Sequence, residues 1–350
     1  MSRVQWDIAP YDTSYRAEVL ELMKLVQGHA TTPEQFSWWF EKNPTGGLNI
    51  YLGIHAGRVI GICCHSAFAV LYGGEERIIS IPLNVLTHPD YRGQGVFSNL
   101  EMLNERCALE AGAAFMLGFP NKASMPILLK KLGWRRIETD RLYFHPLRCE
   151  RLARQAPVLR LIAPAFIPFS ALFGGGGDLS ELGLVAHRVE TFGVWADEIW
   201  EANRPTLPIC MVRRKEYLNW RFCEDPEGKY SVWLVRKGDT AVGYYVLGSI
   251  TKRRIRMGYV ANSLMLPEYR EVSFAIERTF VEHFREEGVD LLLRWDSSGS
   301  RPRWPYWIYK YFLLPKRLFF IYKSGTMQLE AEEFEDRGNW FLQLGDLDFF

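Results

Sequence analysis

"VLTHPDYRGQGVFSNL" (residues 85–100) places Gly93 and Gly95 two residues apart behind Arg92. Glycine weakens both strands and helices, so this pair points to a backbone conformation or close approach that other residues forbid. The run before it, "ERIISIPLNVLT" (76–87), is β-rich. The run after it, "FSNLEMLNERCALEAG" (97–112), carries Phe97, Leu100, Leu103 and Cys107 at helical spacing and stops at Gly112. The glycines therefore sit in a strand–turn–helix loop. A helix N-terminus presents free N–H groups and partial positive charge, and a bare loop lets a phosphate approach the backbone. Arg92 adds a cation. The stretch reads as an anion cradle that suits a pyrophosphate, and a plain strand–helix turn is the simpler alternative. It is no Walker loop, because no Gly-Lys-[Ser/Thr] follows, and it lacks the third glycine of a dinucleotide fingerprint.

Working outward, the chain repeats itself. "WWFEKNPTG" (38–46) and "WRFCEDPEG" (220–228) both read Trp-x-Phe-x-x-[Asn/Asp]-Pro-x-Gly. Gly61 follows Gly46, and Gly243 follows Gly228, by the same interval. "NVLTHPDYR" (84–92) matches "NSLMLPEYR" (262–270), and "GAAFMLGF" (112–119) matches "GVDLLLRW" (288–295) in apolar pattern. The offset drifts by a few residues, as loop deletions produce, and the period is too long for a solenoid. The expected organisation is two copies of one domain, 1–150 and 190–350, joined by a Pro/Gly-rich apolar connector, 151–189. Within each copy the pattern is mixed. In the first, Thr32, Pro33 and Gln35 form a capping box. "LNIYLGIHAGRVIGICCHSAFAV" (48–70) reads as a strand hairpin, and "AFMLGF" (114–119) as a short buried strand. "SMPILLKKLG" (124–133) reads as a helix, and "WRRIETDRLYF" (134–144) as a last strand. The fold class is α/β of the α+β type: two tandem domains, each a mixed, mostly antiparallel sheet flanked by helices.

Composition sets limits. A chain of 350 residues with 48% hydrophobic and 24% charged residues suits two globular cores. A net charge of +1 argues against a generic nucleic-acid binder, so no nucleic acid is expected as partner. Six cysteines show no CxxC pair, which reads as buried thiols in a reducing compartment, and no metal is expected. The N-terminus lacks a signal-peptide pattern and no run is long enough to span a membrane, which makes the cytoplasm the expected location. The broken apolar run 156–173 reads as a connector on the protein surface, with a weak membrane-surface contact as the alternative.

Returning to the opening stretch, "VLTHPDYRGQGVFSNL" resembles motif A of the GNAT N-acetyltransferases, [Arg/Gln]-x-x-Gly-x-[Gly/Ala] after a strand. "NKASMPILLKKLGW" (121–134) resembles their motif B, Asn-x-x-[Ala/Ser]…Leu-Gly-[Phe/Trp]. The resemblance is close over about 80–135, and the repeat extends it to most of the chain. It implies acetyl-CoA or another acyl-CoA as co-substrate. Arg92, Gly93, Gln94, Gly95, Val96, Phe97 and Ser98 would then hold the pyrophosphate. Val85, Leu86 and Thr87 would run beside the pantetheine arm, with Asn121 and Ser124 on its far side. Asn84 and Ser80 lie on the strand where bases of the family often sit, so the resemblance makes them candidate catalytic residues. There are two departures from the family's pattern. Phe97 is bulkier than the usual small residue, and Leu129 stands where the family often has a tyrosine acid.

The second copy reads "PEYREVSF" (267–274), with Glu271 and Ser273 in place of Gly93 and Gly95. A carboxylate repels phosphate and side chains block the backbone, so this copy is expected to be degenerate. "RPRWPYWIYKYF" (301–312) concentrates aromatics and cations and reads as core or as an acceptor platform. Asp346 and Asp348 are expected on one face of a C-terminal strand, and Trp38 and Trp220 in the core. The resemblance implies an N-acetyltransferase acting on a small amine or an amino sugar by direct attack on the thioester, similar to enzymes found with bacterial polysaccharide synthesis. The alternatives are an aminoacyl-tRNA-dependent transferase of the tandem peptidoglycan-bridge type and a non-catalytic CoA-binding scaffold. Neither the acceptor's identity nor the oligomeric state is legible in the residues.

Overall fold

The computed structural model describes residues 4–47, 49–137, 141–149, 151–152, 179–295 and 311–347. The bulk of the connector, including 156–173, lies outside the described residues. So do Asp348 and all of 301–312 except Tyr311 and Phe312.

The chain divides into two compact units that interleave in sequence: Met1–Glu138 with Phe319–Asn339, and Thr139–Leu318 with Trp340–Phe350. The first begins with strand β1 (Asp7–Pro10), helix α1 (Arg16–Gln27) and short helix α2 (Pro33–Phe36). α2 starts on the expected capping box, with the Thr32 hydroxyl accepting from Gln35 N and the Gln35 side chain accepting from Thr32 N. It runs on into a π-helical turn, Ser37–Glu41. Strands β2 (Asn49–His55), β3 (Arg58–Tyr72) and β4 (Glu75–Thr87) form an antiparallel meander whose first turn has Ala56 and Gly57 at positive φ, as a tight hairpin requires. Helix α3 (Val96–Glu110), β5 (Phe115–Gly118), α4 (Met125–Lys131) and β6 (Arg135–Ile137) follow.

The stretch 134–144, expected as one last strand, makes two. β6 stays in the first unit, and β7 (Arg141–Pro146) belongs to the second. The first sheet runs β1-β2-β3-β4-β5-β15-β6, where β15 is Phe320–Ser324 from the far end of the chain. It pairs antiparallel with β5 on one side and β6 on the other. Phe320, Ile321 and Tyr322 are buried, and Lys323 reaches Glu105 Oε2 at 2.5 Å and Leu132 O at 2.7 Å.

The second unit repeats the plan. β8 (Val185–Val189), helix α5 (Val194–Asn203), short strand β9 (Ile209–Met211) and helix α6 (Lys215–Leu218) lead to another π-helical turn, Asn219–Cys223. Strands β10 (Tyr230–Lys237), β11 (Thr240–Lys252) and β12 (Ile255–Met265), helix α7 (Ser273–Glu286), β13 (Leu291–Trp295) and β14 (Phe312–Arg317) complete the copy. Its sheet runs β14-β7-β13-β12-β11-β10-β8. Each sheet is thus completed by a strand from the other copy: β15 lies between β5 and β6, and β7 lies between β13 and β14.

The sequence repeat has a physical cause. In both copies Trp38/Trp220 and Phe40/Phe222 are buried on the π-helical turn. Asn43 and Asp225 are buried too, and each takes a backbone N–H two residues on. Gly46 and Gly228 close the turn at φ 69° and 58°, donating to the carbonyls of Asn43 and Asp225. Among the described residues no helix is long and apolar enough to cross a membrane.

The strand exchange yields a prediction. Residues 1–150 expressed alone lose β15, which leaves β5 and β6 without their shared partner and Glu105 without its lysine. The fragment is expected to aggregate or melt without a cooperative transition in calorimetry, while the full chain melts cooperatively. A monodisperse, cooperatively melting fragment would contradict this.

Candidate functional site

The site begins where β4 leaves β5. The parallel pairing of these strands registers Ser80 with Met116, preceded by an Ala114 N–H to Ile78 O bond of 2.8 Å, and among the described residues it ends there. Two features explain the parting. Pro82 has no N–H to contribute to a ladder. Asn84 then adopts φ 45° at a bulge where the β3–β4 register slips, Ile62 facing Leu86 and Cys64 facing Leu83. The Asn84 carboxamide accepts from Gln27 Nε2 of α1 at 2.9 Å, which ties the bulge to the helix beside it. The rest of β4, including Val85, Leu86 and Thr87, presents a half-buried edge toward the gap.

The glycine loop lies at the end of that edge. A one-turn helix, Pro89–Tyr91, is capped by the His88 imidazole, which accepts from Asp90 N at 3.3 Å. Arg92 is extended and exposed. Gly93 and Gly95 both take left-handed φ, 77° and 85°, which an L side chain resists by about 1–2 kcal/mol. Gly95 is the N-cap of α3 and brings no capping side chain. The first α3 bond of this end runs from Asn99 N to Gly95 O, so the amides of Val96, Phe97 and Ser98 precede the helical ladder. Gln94 pins the loop, accepting from Val4 N and donating to Asp90 O, each at 3.3 Å. A glycine in β3 sets the height of this helix end. A Cβ on Gly61 would stand 2.4 Å from Val96 Cγ1, so only glycine allows α3 to sit so low on the sheet.

The remaining predicted residues fall on either side of this loop. Asn121 Oδ1 accepts from Ala123 N and Ser124 N at 2.8 and 3.0 Å, which closes the turn leading into α4, and the residue is exposed. Ser124 is the N-cap of α4, 3.4 Å from Asn121 Oδ1. Phe97 and Leu129 pack against one apolar cluster that includes Ala108, Leu128 and Trp134, which accounts for both departures from the family pattern as packing groups. A groove borders the loop on the side of Gln94. It is open, about 530 Å³ in volume, and lined by Trp6, Gln94, Met102 and Arg106 among others.

Ser80 is almost wholly buried and joins a network that sequence reasoning missed. Its hydroxyl lies 3.0 Å from His65 Nδ1, His65 Nε2 lies 3.2 Å from Glu101 Oε1, and the Cys63 thiol donates to Glu101 Oε2 at 3.1 Å. His65 and Glu101 are fully buried, and burial first, then the Glu101 charge, pushes the Cys63 thiol well above its ordinary range. Each member has a partner: Glu101 accepts from the Cys63 thiol and pairs with His65 Nε2, and His65 Nδ1 pairs with the Ser80 hydroxyl. The ligand atoms of Cys63, His65 and Glu101 also lie within 4.8 Å of one another, a donor set that suits a zinc-like ion, although hydrogen bonds already engage them. A Cys-x-His pair on a strand and a mid-helix glutamate carry no distinctive signal, because the contact is made only across the α3–β3 interface.

The second copy's loop is closed. Pro267–Val272 winds into a short helix without positive φ. Arg270, the counterpart of Arg92, spends its guanidinium on Asn203 Oδ1 and Thr206 Oγ1, both at 2.6 Å. Ser273 donates its hydroxyl to Arg270 O at 2.7 Å. Asp346, expected on an open strand face, instead sits in a buried turn (Leu344–Asp346) and pairs with Arg213 Nη2 at 3.0 Å. Burial pushes its carboxyl up, with the guanidinium opposing.

Residues 7–137 match the family described as "Acetyltransferase (GNAT) domain". Among solved structures, the chain is similar to a GCN5-related N-acetyltransferase from Anabaena variabilis (TM-score 0.62, 11% identity, 91% of this chain and 72% of that one). It is also similar to Saccharomyces cerevisiae N-myristoyltransferase with bound myristoyl-CoA (TM-score 0.59, 10% identity, 95% and 86%). A third is a tandem GNAT protein from the clavulanic acid biosynthesis pathway (TM-score 0.55, 14% identity, 93% and 100%). At these identities the likeness is one of fold. No curated protein matches the chain in sequence.

The buried network makes a prediction. Glu101→Leu strands the Cys63 thiol and His65 Nε2 without a partner, at about 1–3 kcal/mol for each group left unsatisfied. Urea denaturation should show the loss as a lower midpoint. An unchanged midpoint would contradict Glu101 as the network's partner.

Proposed function

We propose that the chain is a member of the GNAT superfamily, whose domain model residues 7–137 match, and that its first copy moves an acetyl group from acetyl-CoA to the primary amine of a small molecule or amino sugar. The coarser statement, an acyl-CoA-dependent N-acyltransferase, follows from the family. The observation that supports a donor site here is the set of amides at Val96, Phe97 and Ser98 that precede the α3 ladder, behind two left-handed glycines and beside a strand that has lost its neighbour.

In this reading the loop amides and Arg92 hold the pyrophosphate, the α3 N-terminus adding its partial positive charge. Val85 and Thr87 offer main-chain groups to the pantetheine amides, with Leu86 between them. The NH2 group of Asn121 and the Ser124 hydroxyl serve the arm's far side. The thioester then lies in the split, where a strand N–H polarises its carbonyl. The neutral amine attacks the carbonyl carbon, the C–S bond breaks, and the thiolate leaves. The ammonium proton passes to a base or to water. Asn84 and Ser80 stand on that strand as the candidates for this transfer, with His65 and Glu101 behind Ser80 as positioning residues. Leu129 cannot donate a proton, so the thiolate leaves without a tyrosine acid.

Calorimetry tests the assignment of the donor site. Gly95→Glu should weaken acetyl-CoA binding at least a hundredfold, about 2.7 kcal/mol, while Glu271→Gly in the second copy leaves affinity and stoichiometry unchanged. Equal losses in both variants would contradict it, and binding without turnover across a broad amine panel would favour the CoA-binding scaffold. The pH dependence tests the chemistry. At subsaturating acceptor the rate should rise with pH and level off, with no falling limb below about pH 9. A bell-shaped profile falling between about pH 7 and 8.5 would show a dedicated acid.

A further inference from the structure

The second copy keeps the split but not the opening. β12 pairs in parallel with β13 from Met257 to Tyr259, then runs on to Met265 without it. A bulge at Ala261 follows the parting, with Val246 facing Asn262 and Leu247 facing Val260. Asn262 is the counterpart of Asn84 and Ser263 that of Val85, the residue whose main chain the proposed function assigns to the pantetheine arm. Ser263 N donates to Gln343 Oε1 at 2.8 Å, and Gln343 Nε2 donates to Ser263 O at 3.1 Å and to its hydroxyl at 3.0 Å. Both main-chain groups of Ser263 are thus spent on one side chain, on the edge that faces away from β11 and that β13 has vacated.

The segment that delivers Gln343 is built into this place. It enters as β16 (Trp340–Phe341), paired in parallel with β9. Gly345 crosses the bulge so closely that a Cβ there would stand 2.7 Å from Ala261 O and 2.8 Å from the Phe222 ring. Arg221, fully inside the unit, donates to Gly345 O and Leu347 O, each at 3.1 Å. Asp346 Oδ2 accepts from Arg213 and, at 2.8 Å, from Gln343 N, which folds the turn back on itself. Leu342, Leu344 and Leu347 are buried. An unpaired strand edge inside a protein demands a partner for every N–H and C=O, and here the partner is a carboxamide with the same donor and acceptor as a peptide.

We propose that the donor cleft of the second copy is a binding site whose ligand is the chain's own C-terminal segment, residues 340–347. The Gln343 carboxamide takes on β12 the place that the first copy offers to a pantetheine amide. The comparison with pantetheine rests on the proposed function; the occupancy of the cleft does not. The degenerate copy is therefore sealed twice, at the wound loop 267–272 and at the split, and takes no acyl-CoA.

Hydrogen exchange on the full chain tests this. The Ser263 amide should be strongly protected in the unmodified protein. Gln343→Met and Gly345→Val should each speed exchange over 258–266 at least tenfold while leaving 80–90 unchanged. Saturating acetyl-CoA should protect 85–98 and leave 258–266 as it was. An unprotected Ser263 amide in the unmodified chain, no acceleration in either variant, or protection of 258–266 by acetyl-CoA would each overturn the proposal. If acetyl-CoA protects neither region, the proposed function fails, and the unmodified Ser263 amide and the variants still decide the segment's role.

Discussion

One constraint governs both units: a sheet strand that parts from its parallel neighbour leaves backbone groups that must find other partners. In the first unit β4 and β5 separate after Ser80 and Met116, because Pro82 cannot extend the ladder and Asn84 bends the strand. The edge that results is open along Val85–Thr87 and ends at the open amides of α3. In the second unit the same parting is filled from within by Gln343. The two copies thus solve one backbone problem differently: one edge stays open and the other is filled.

The wear in the second copy is consistent at every level. Replacing two glycines by Glu271 and Ser273 removes the left-handed turns, and the loop winds into a helix instead. Arg270 turns to Asn203 and Thr206. Asn262 keeps a structural contact, accepting from the Tyr244 hydroxyl at 2.9 Å. What the copies share without wear is packing: the π-helical turn, its buried Trp and Phe, the Asx-type turn after it, and a close-packed glycine in the third strand, Gly61 or Gly243. Selection for packing explains those repeats in the sequence better than chemistry does.

Much of this was legible locally. The capping box at Thr32, the hairpin turn at Ala56–Gly57 and the helix beginning after Gly95 are all set by neighbours a few residues apart. The glycine loop could be read because positive φ and bare backbone restrict the residue type. The destination of β7 could not, because "WRRIETDRLYF" has the same β character whichever sheet it joins, and that choice is made by β13 and β14. Asp346 misled for a related reason: alternation suggested a solvated strand, while Arg213, far away in sequence, pulls the carboxylate into a buried turn. The Cys63–His65–Glu101 network was invisible because each member is ordinary in its own element. Sequence pattern reports local geometry well and reports the identity of distant partners poorly.

A crystal structure of the full chain with a non-hydrolysable acetyl-CoA analogue tests the central claim most directly. The account predicts pyrophosphate oxygens at hydrogen-bond distance, about 2.7–3.2 Å, from amides between Gly93 and Ser98, and pantetheine beside β4 past Asn84. It also predicts Gln343 still seated on Ser263. An analogue lying on β12 with residues 340–347 displaced, or one whose pyrophosphate avoids the glycine loop, would contradict it.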